Sequence, residues 1–280
     1  SKITVGGILN PQGGGKAARI TPETYTITTK VLEAGSGVTL ENETYKFAVT
    51  PQTSPAPQEW TVGGNGRLKQ GRYTEVPYSH LELFLANNAS STEVNYIEVT
   101  GISAADLTGS YGSPPAPGPL GQKIKAANPK KVALKLPDGL SVTDMSYCFV
   151  SCKNLVSLEN FPSGVTDMQA CFYNCGNLTT VPDIPASVTG MLECFRFCKS
   201  LTQCPDIPSS VTDMTYCFDS CTVLERVKIN RGYAGCNFYN AFKDCTSLQN
   251  GGIQVPSAEL GTYKANAGTM GTSADKFVGF

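Results

Sequence analysis

Apolar residues along this chain fall into two regimes. Between Ile20 and Thr100 they alternate with polar ones in short runs: Tyr25-Thr26-Ile27 with Val31, Tyr45 to Val49, Leu81 to Leu85, and Val94 to Val99. These runs are rich in β-branched and aromatic residues, and a period of two places one side of each run in a core, so the pattern predicts strands. Gly35-Ser36-Gly37, Pro51 to Pro57 and Gly63-Gly64-Asn65-Gly66 supply the turns between them. Short strands at this spacing, with little helical periodicity, predict an antiparallel β-sandwich-like domain over residues 20–108.

Beyond Val142 the period changes. Val188, Met191, Phe195 and Cys198 stand at i, i+3, i+7 and i+10, one face of a helix. Ser141, Ser187 and Ser210 precede such segments, and Asp144 and Asp213 follow two of them three residues on, which predicts capping boxes at helix starts. Short apolar pairs come next, Leu155 with Leu158, Leu178 with Val181, and Leu224 with Val227, and these predict strands.

The helix-then-strand unit recurs. Cys148-Phe149, Cys171-Phe172, Cys194-Phe195 and Cys217-Phe218 each open a Cys-Phe-x-x-Cys-x-x-Leu phrase, the Phe positions being 23 residues apart. A weaker fifth copy, Ala241-Phe242-Lys243-Asp244-Cys245 with Leu248, follows. A fixed period of this length predicts a solenoid of stacked coils. Lys131 to Leu136 reads as a half repeat that opens the array.

The flanks complete the organisation. Residues 1–19 form a glycine-rich arm, 109–122 a Pro/Gly-rich linker of semi-rigid polyproline character, 123–253 the solenoid, and 254–280 a C-terminal cap. Within the arm, Gly13-Gly14-Gly15-Lys16 falls short of a phosphate loop, because Asn10 and Ala17 stand where that motif needs Gly and Ser or Thr. The start Ser1-Lys2-Ile3 fits either removal of an initiator methionine or trimming after a leader.

The phrase Val-Thr-Asp-Met-x-x-Cys-Phe-x-x-Cys-x-x-Leu-x-x-Leu resembles the leucine-rich repeats of the BspA-like surface-protein family, over about Val132 to Ile253. That resemblance implies a short solenoid with one parallel strand per repeat, so the whole chain is expected to be mixed α/β. It also implies a place on bacterial surfaces, among secreted proteins or in mobile elements including phages. It implies no catalytic activity.

Charge narrows the field. The formal net charge is −1, which argues against a nucleic-acid partner, and no apolar run approaches the ~20 residues of a membrane span. The one histidine, His80, has no nucleophile motif beside it and reads as a strand-edge residue, and no paired carboxylates mark a cleft, so the chain is not expected to be an enzyme. Asn42-Glu43-Thr44, Asn88-Ala89-Ser90 and Asn177-Leu178-Thr179 match the glycosylation sequon, a pattern that arises often by chance.

All eleven cysteines lie between Cys148 and Cys245. A zinc site would favour Cys-x-x-Cys or histidine, whereas the array has Cys-x-x-x-Cys and its only histidine lies elsewhere. Disulfides meet an odd count, and cysteines four apart on a helix point nearly parallel. Buried free thiols are the third reading. Cys204 supports it, since it occupies the column of Leu158, Val181 and Val227, where size and apolarity decide. No cofactor or metal is expected, and capping accounts for Asp144, Asp167 and Asp213 better than calcium does.

With those columns in the core, the variable strand positions face outward. Ser157, Thr179, Thr180, Thr202, Gln203, Glu225, Arg226, Gln249 and Asn250 form the candidate recognition face, polar and mostly uncharged. The expected function is a non-enzymatic, surface-displayed structural or recognition protein. On this reading it decorates a larger particle, a phage virion first among them, attached by the arm and β-domain to protein subunits of the assembly. The alternative is a secreted or cell-surface adhesin whose solenoid binds host protein or glycan.

Overall fold

The computed structural model describes residues 73–280 throughout and, before them, the backbone of six short strands. These are β1 (Ile3–Val5), β2 (Ile8–Leu9), β3 (Thr24–Ile27), β4 (Tyr45–Ala48), β5 (Trp60–Val62) and β6 (Arg67–Gln70). The chain divides into two compact units, Ser1–Ala89 with Tyr96–Gly101, and Ser90–Asn95 with Ile102–Phe280.

In the first unit β1–β2, β3–β4 and β5–β6 pair antiparallel, as expected, but β1–β6 pairs parallel. So does β7 (Thr74–Pro77) with β8 (Asn95–Thr100). A parallel pair needs a crossover, and α1 (Leu81–Asn87) provides it. This corrects the reading of Leu81 to Leu85 as a strand. Leu81 and Leu85, at i and i+4, are buried while Leu83 is 48% exposed, so burial follows the helical period despite the alternating sequence. His80 accordingly ends a short 3₁₀ turn, Tyr78–His80, rather than edging a strand. The Gly13–Lys16 stretch, the rest of the arm apart from β1 and β2, the Asn42 sequon and the three turn segments before Arg67 lie outside the described residues.

The second unit is a stack of coils whose register is set by backbone hydrogen bonds on the side carrying the Cys-Phe phrase. The N–H groups of Met145, Tyr147, Phe149 and Ser151 donate to the carbonyls of Asp167, Gln169, Cys171 and Tyr173 in the next coil, at 2.9, 2.8, 2.8 and 2.7 Å. Met168, Ala170, Phe172 and Asn174 repeat the pattern onto Gly190, Leu192, Cys194 and Arg196. The intervening amides turn back within their own coil, Cys148 to Met145 and Cys152 to Phe149. The predicted helices are therefore tight turns linked sideways. Positive φ at Tyr147 and Ser151, and at the matching positions of every later coil, rules out a continuous helix. Such a φ costs a non-glycine residue about 1–2 kcal/mol. The coil-to-coil bonds it permits contribute about 1 kcal/mol each.

The aspartates follow from the same geometry. Asp144, Asp167 and Asp213 accept from the backbone N–H two residues ahead, at 2.8, 2.8 and 2.9 Å, as does Asn237 at 3.1 Å. They close Asx turns instead of capping helices. Ser187 and Ser210 donate across to the preceding coil, to the carbonyls of Val165 and Val188.

Strands form where the chain allows them. β9 (Val132–Lys135) and β10 (Leu155–Leu158) pair parallel, and so do β11 (Val227–Lys228), β12 (Ile253–Val255) and β13 (Phe277–Gly279). The two middle coils keep only isolated bridges, Ser157 to Thr180, Gln203 to Arg226 and Ile207 to Ile229. Pro182 and Pro205 stand there, and proline has no N–H for a ladder.

Residues 109–122 belong to this unit as its opening layer. Gly109 and Gly118 donate to the carbonyls of Ser146 and Cys148, and α2 (Pro119–Ala126) packs Leu120, Gly121 and Ile124 inward. A side chain at Gly121 would come within 2.1 Å of the Cys148 carbonyl, so glycine is required for this approach. A segment whose donors are spent on the first coil is not a spacer. At the other end residues 253–280 form a divergent last layer: Asn240 and Phe242 donate to the carbonyls of Thr269 and Met270, which puts the buried Met270 at the layer position that Cys171, Cys194 and Cys217 hold in earlier coils. α3 (Leu260–Ala265) and β13 close it around Tyr263 and Phe277.

That column is the core. Phe149, Phe172, Phe195, Phe218 and Phe242 stack with centroids 5.7, 5.4, 5.5 and 5.6 Å apart and nearly parallel planes. Removing one leaves a cavity between two rings, so Phe195→Ala should lower stability by about 3–5 kcal/mol, read as a shift of the urea midpoint. Every cysteine is a free thiol. Added reductant should therefore leave the melting temperature of purified protein unchanged; a clear fall would mean that disulfides hold the coils.

Candidate functional site

The cysteines have chemistry to offer only if their thiols ionise, and packing opposes this. The second cysteine of each phrase donates its S–H to the phenylalanine carbonyl of the preceding coil: Cys175 to Phe149, Cys198 to Phe172, Cys221 to Phe195 and Cys245 to Phe218, at 3.0, 3.1, 2.9 and 3.0 Å. Cys152 makes the equivalent bond to Gly121 at 3.2 Å. Burial pushes these thiols up, Cys152 and Cys245 to about 12 and Cys175, Cys198 and Cys221 well above the usual thiol range, with neighbouring thiols adding to the effect at all but Cys245, where Asp219 and Asp244 do so. The first column, Cys148, Cys171, Cys194 and Cys217, is desolvated in the same way. A protonated, hydrogen-bonded thiol is neither a nucleophile nor a metal ligand. Cys204 is half-buried as a residue, since Pro205 interrupts its strand, yet its sulfur is desolvated and its thiol raised as well.

Among the described residues no cluster of three or more His, Cys, Asp or Glu side chains is arranged to hold a metal ion. His80 meets only its neighbour Ser79 among the hydrogen bonds seen there, Oγ to Nδ1 at 3.1 Å, on an exposed turn. No helix is long and apolar enough to cross a membrane among the described residues.

The nine predicted recognition positions do come together. They form a strip on the strand side, one or two residues per coil. Thr179, Thr180, Thr202, Gln203, Arg226, Gln249 and Asn250 are exposed, and Ser157 and Glu225 are half-buried. Backbone bonds fix their spacing: Thr179 donates to the carbonyl of Val156 from both N–H and Oγ1, and Glu225 donates to Thr202. Toward the C-terminal end the side chains hold one another. Arg226 Nε donates to Gln249 Oε1 at 3.0 Å, Gln249 Nε2 to Glu225 Oε2 at 3.1 Å, and Lys276 Nζ to Asn250 Oδ1 at 2.9 Å. This end is a pre-ordered polar patch, while Thr180, Thr202 and Gln203 point to solvent.

A second surface escaped the sequence reading. On the outer side of the turn ladder Arg196 lies between Glu193 and Asp219, at 2.6 and 2.8 Å, with Asp219 almost fully buried. Its guanidinium stands 6.0, 5.0 and 4.8 Å from the ring centres of Tyr173, Phe197 and Tyr216. Burial lowers the tendency of Arg196 to hold its proton, but the two carboxylates outweigh it and keep the charge firmly in place. The rings on this side occupy different repeat columns, so no periodic signal marks them. Only the knowledge that turns, not helices, carry these columns turns their side chains outward together.

No curated protein and no solved structure matches the chain significantly. A family model described as BspA type leucine rich repeat region matches residues 132–249 in six copies. Parallel bridging between successive coils, one phenylalanine per Cys-Phe coil and a strand or isolated bridges on the opposite side agree with that match, so that residues 132–249 are similar to a BspA-type leucine-rich repeat region.

Proposed function

We propose that this chain is a non-enzymatic, surface-displayed recognition and structural protein that decorates a larger particle, a phage virion before other assemblies. The β-sandwich-like first domain and the arm attach it to protein subunits there, and the repeat region is held outward toward a host protein or glycan. One observation supports this most. The reactive side chains of the repeat are consumed by packing, nine of eleven thiols being buried, which leaves long ordered polar surfaces rather than a catalytic pocket. The BspA-type repeat region supports a surface-exposed setting. A small net charge, −1, fits neither a nucleic-acid nor an anionic membrane surface.

The alternative reading, a secreted or cell-surface adhesin, rests on the same repeat family. Gradient sedimentation of the producing culture, followed with an antibody to the repeat region, separates the two. The protein should travel with the particle fraction and leave it when residues 1–19 are deleted. Recovery with the cell envelope, or as free secreted protein, would contradict the particle reading and favour the adhesin.

A further inference from the structure

We propose that the outer side of the turn ladder is a binding strip for an uncharged linear polysaccharide. It deepens the recognition reading above and rests on it, but places the contact away from the strand-side strip.

Each layer contributes one aromatic ring to this side. Tyr111 comes from the opening layer and Tyr147, Tyr173, Phe197, Tyr216 and Tyr239 from the five coils in order. Three edge-to-face pairs result: Tyr111 with Tyr147 at 6.3 Å, Tyr173 with Phe197 at 5.5 Å, and Tyr216 with Tyr239 at 5.5 Å. Arg196 bridges the second pair to the third. Both ends are open, Tyr111 being 86% and Tyr239 49% exposed, whereas Tyr147 is buried against Val150, Ala170 and Tyr173. Copying of a repeat unit would put rings in one column, as it does for the core phenylalanines. Here the ring shifts among four columns, those of Ser146, Tyr147, Val150 and Ser151, and still appears once per layer. One ring per layer is thus a property of the surface and not a by-product of the repeat.

The ligand's chemistry follows from what the strip lacks and what it offers. Backbone N–H groups here are committed to the next coil, so a peptide cannot add as a strand. Of the two cations on these columns, Arg196 is offset by Glu193 and Asp219 and the exposed Lys243 is followed by Asp244, so a polyanion finds no concentrated positive field. What remains is a line of rings, all but Phe197 carrying a hydroxyl, bordered by the amides of Gln169 and Asn174 and by Ser151, which already bond within the strip at 2.6 and 3.3 Å and are thereby held in place. Ring faces accept the C–H faces of sugars, and phenol and amide groups pair with sugar hydroxyls. A row that runs across the layers suits a polymer over a single sugar.

Electrophoresis of the full chain through gels containing soluble xyloglucan, mannan or dextran, against alginate, heparin and polyproline, tests this. Retention by at least one uncharged polysaccharide and by none of the controls is expected. Oligosaccharides of the retaining polymer should bind more tightly as they lengthen, up to about the number of layers. Tyr111→Ala and Tyr239→Ala, both exposed and safe for folding, should each weaken retention about tenfold, the loss of one ring contact. Thr202→Ala with Gln203→Ala on the strand side should leave it unchanged. Failure of every uncharged polymer, equal retention by the charged ones, or retention by polyproline would overturn the proposal. So would a loss confined to the strand-side variant, which would nonetheless leave surface recognition standing.

Discussion

The register between neighbouring coils is the constraint from which the rest of the second unit follows. Every second amide along the Cys-Phe phrase bonds to the next coil, and that requirement bends Tyr147, Ser151 and their counterparts into the left-handed region. With register fixed, the phenylalanines stack at 5.4–5.7 Å, and each lower thiol meets the carbonyl of the phenylalanine above it. Cysteine suits this position because it is small, apolar and still a weak donor. Leucine would fill the space without the donor, and serine would donate at a larger desolvation cost. Both end layers solve the same problem with other residues: glycines bring the opening segment close, and Met270 takes the place of the first cysteine at the far end.

Much of this was legible in the sequence because a repeat amplifies it. Four copies of Phe and Cys at one interval, with a weaker fifth one residue further on, disclosed the solenoid, its core columns and the burial of the thiols, and Cys204 among leucine and valine pointed the same way. The turn ladder was not legible. Val188, Met191, Phe195 and Cys198 satisfy a helical period, but successive tight turns bury nearly the same positions, and nothing in that pattern says whether an N–H bonds four residues back or to another coil. The aspartates misled for a related reason, since an acid near a turn start serves an Asx turn as well as a helix cap. In the first unit Leu81 to Leu85 alternates like a strand, and only the crossover demanded by the parallel pair of β7 and β8 makes it a helix. Prolines were read as boundary marks, whereas Pro182 and Pro205 also thin the strand side to isolated bridges.

The same logic explains why the two candidate surfaces differed in visibility. Strand-side positions were found because they are the variable partners of conspicuous apolar pairs. The aromatic strip was missed because its rings belong to no single column, and their alignment depends on the side-chain directions of a turn, which neither a helix nor a strand provides. Function on a solenoid belongs to residues that break the repeat, and these are the ones that periodic analysis averages away.

The central claim, that the cysteines are packed, reduced and inert parts of the stack, is tested most directly by counting reactive thiols in native and denatured protein without reductant. The nine buried thiols and the desolvated thiol of Cys204 should stay silent in the native state, with reaction limited to the half-buried Cys236, and all eleven should react once the chain is unfolded. Fewer than eleven in denaturant, or rapid reaction of the buried columns in the folded protein, would contradict it.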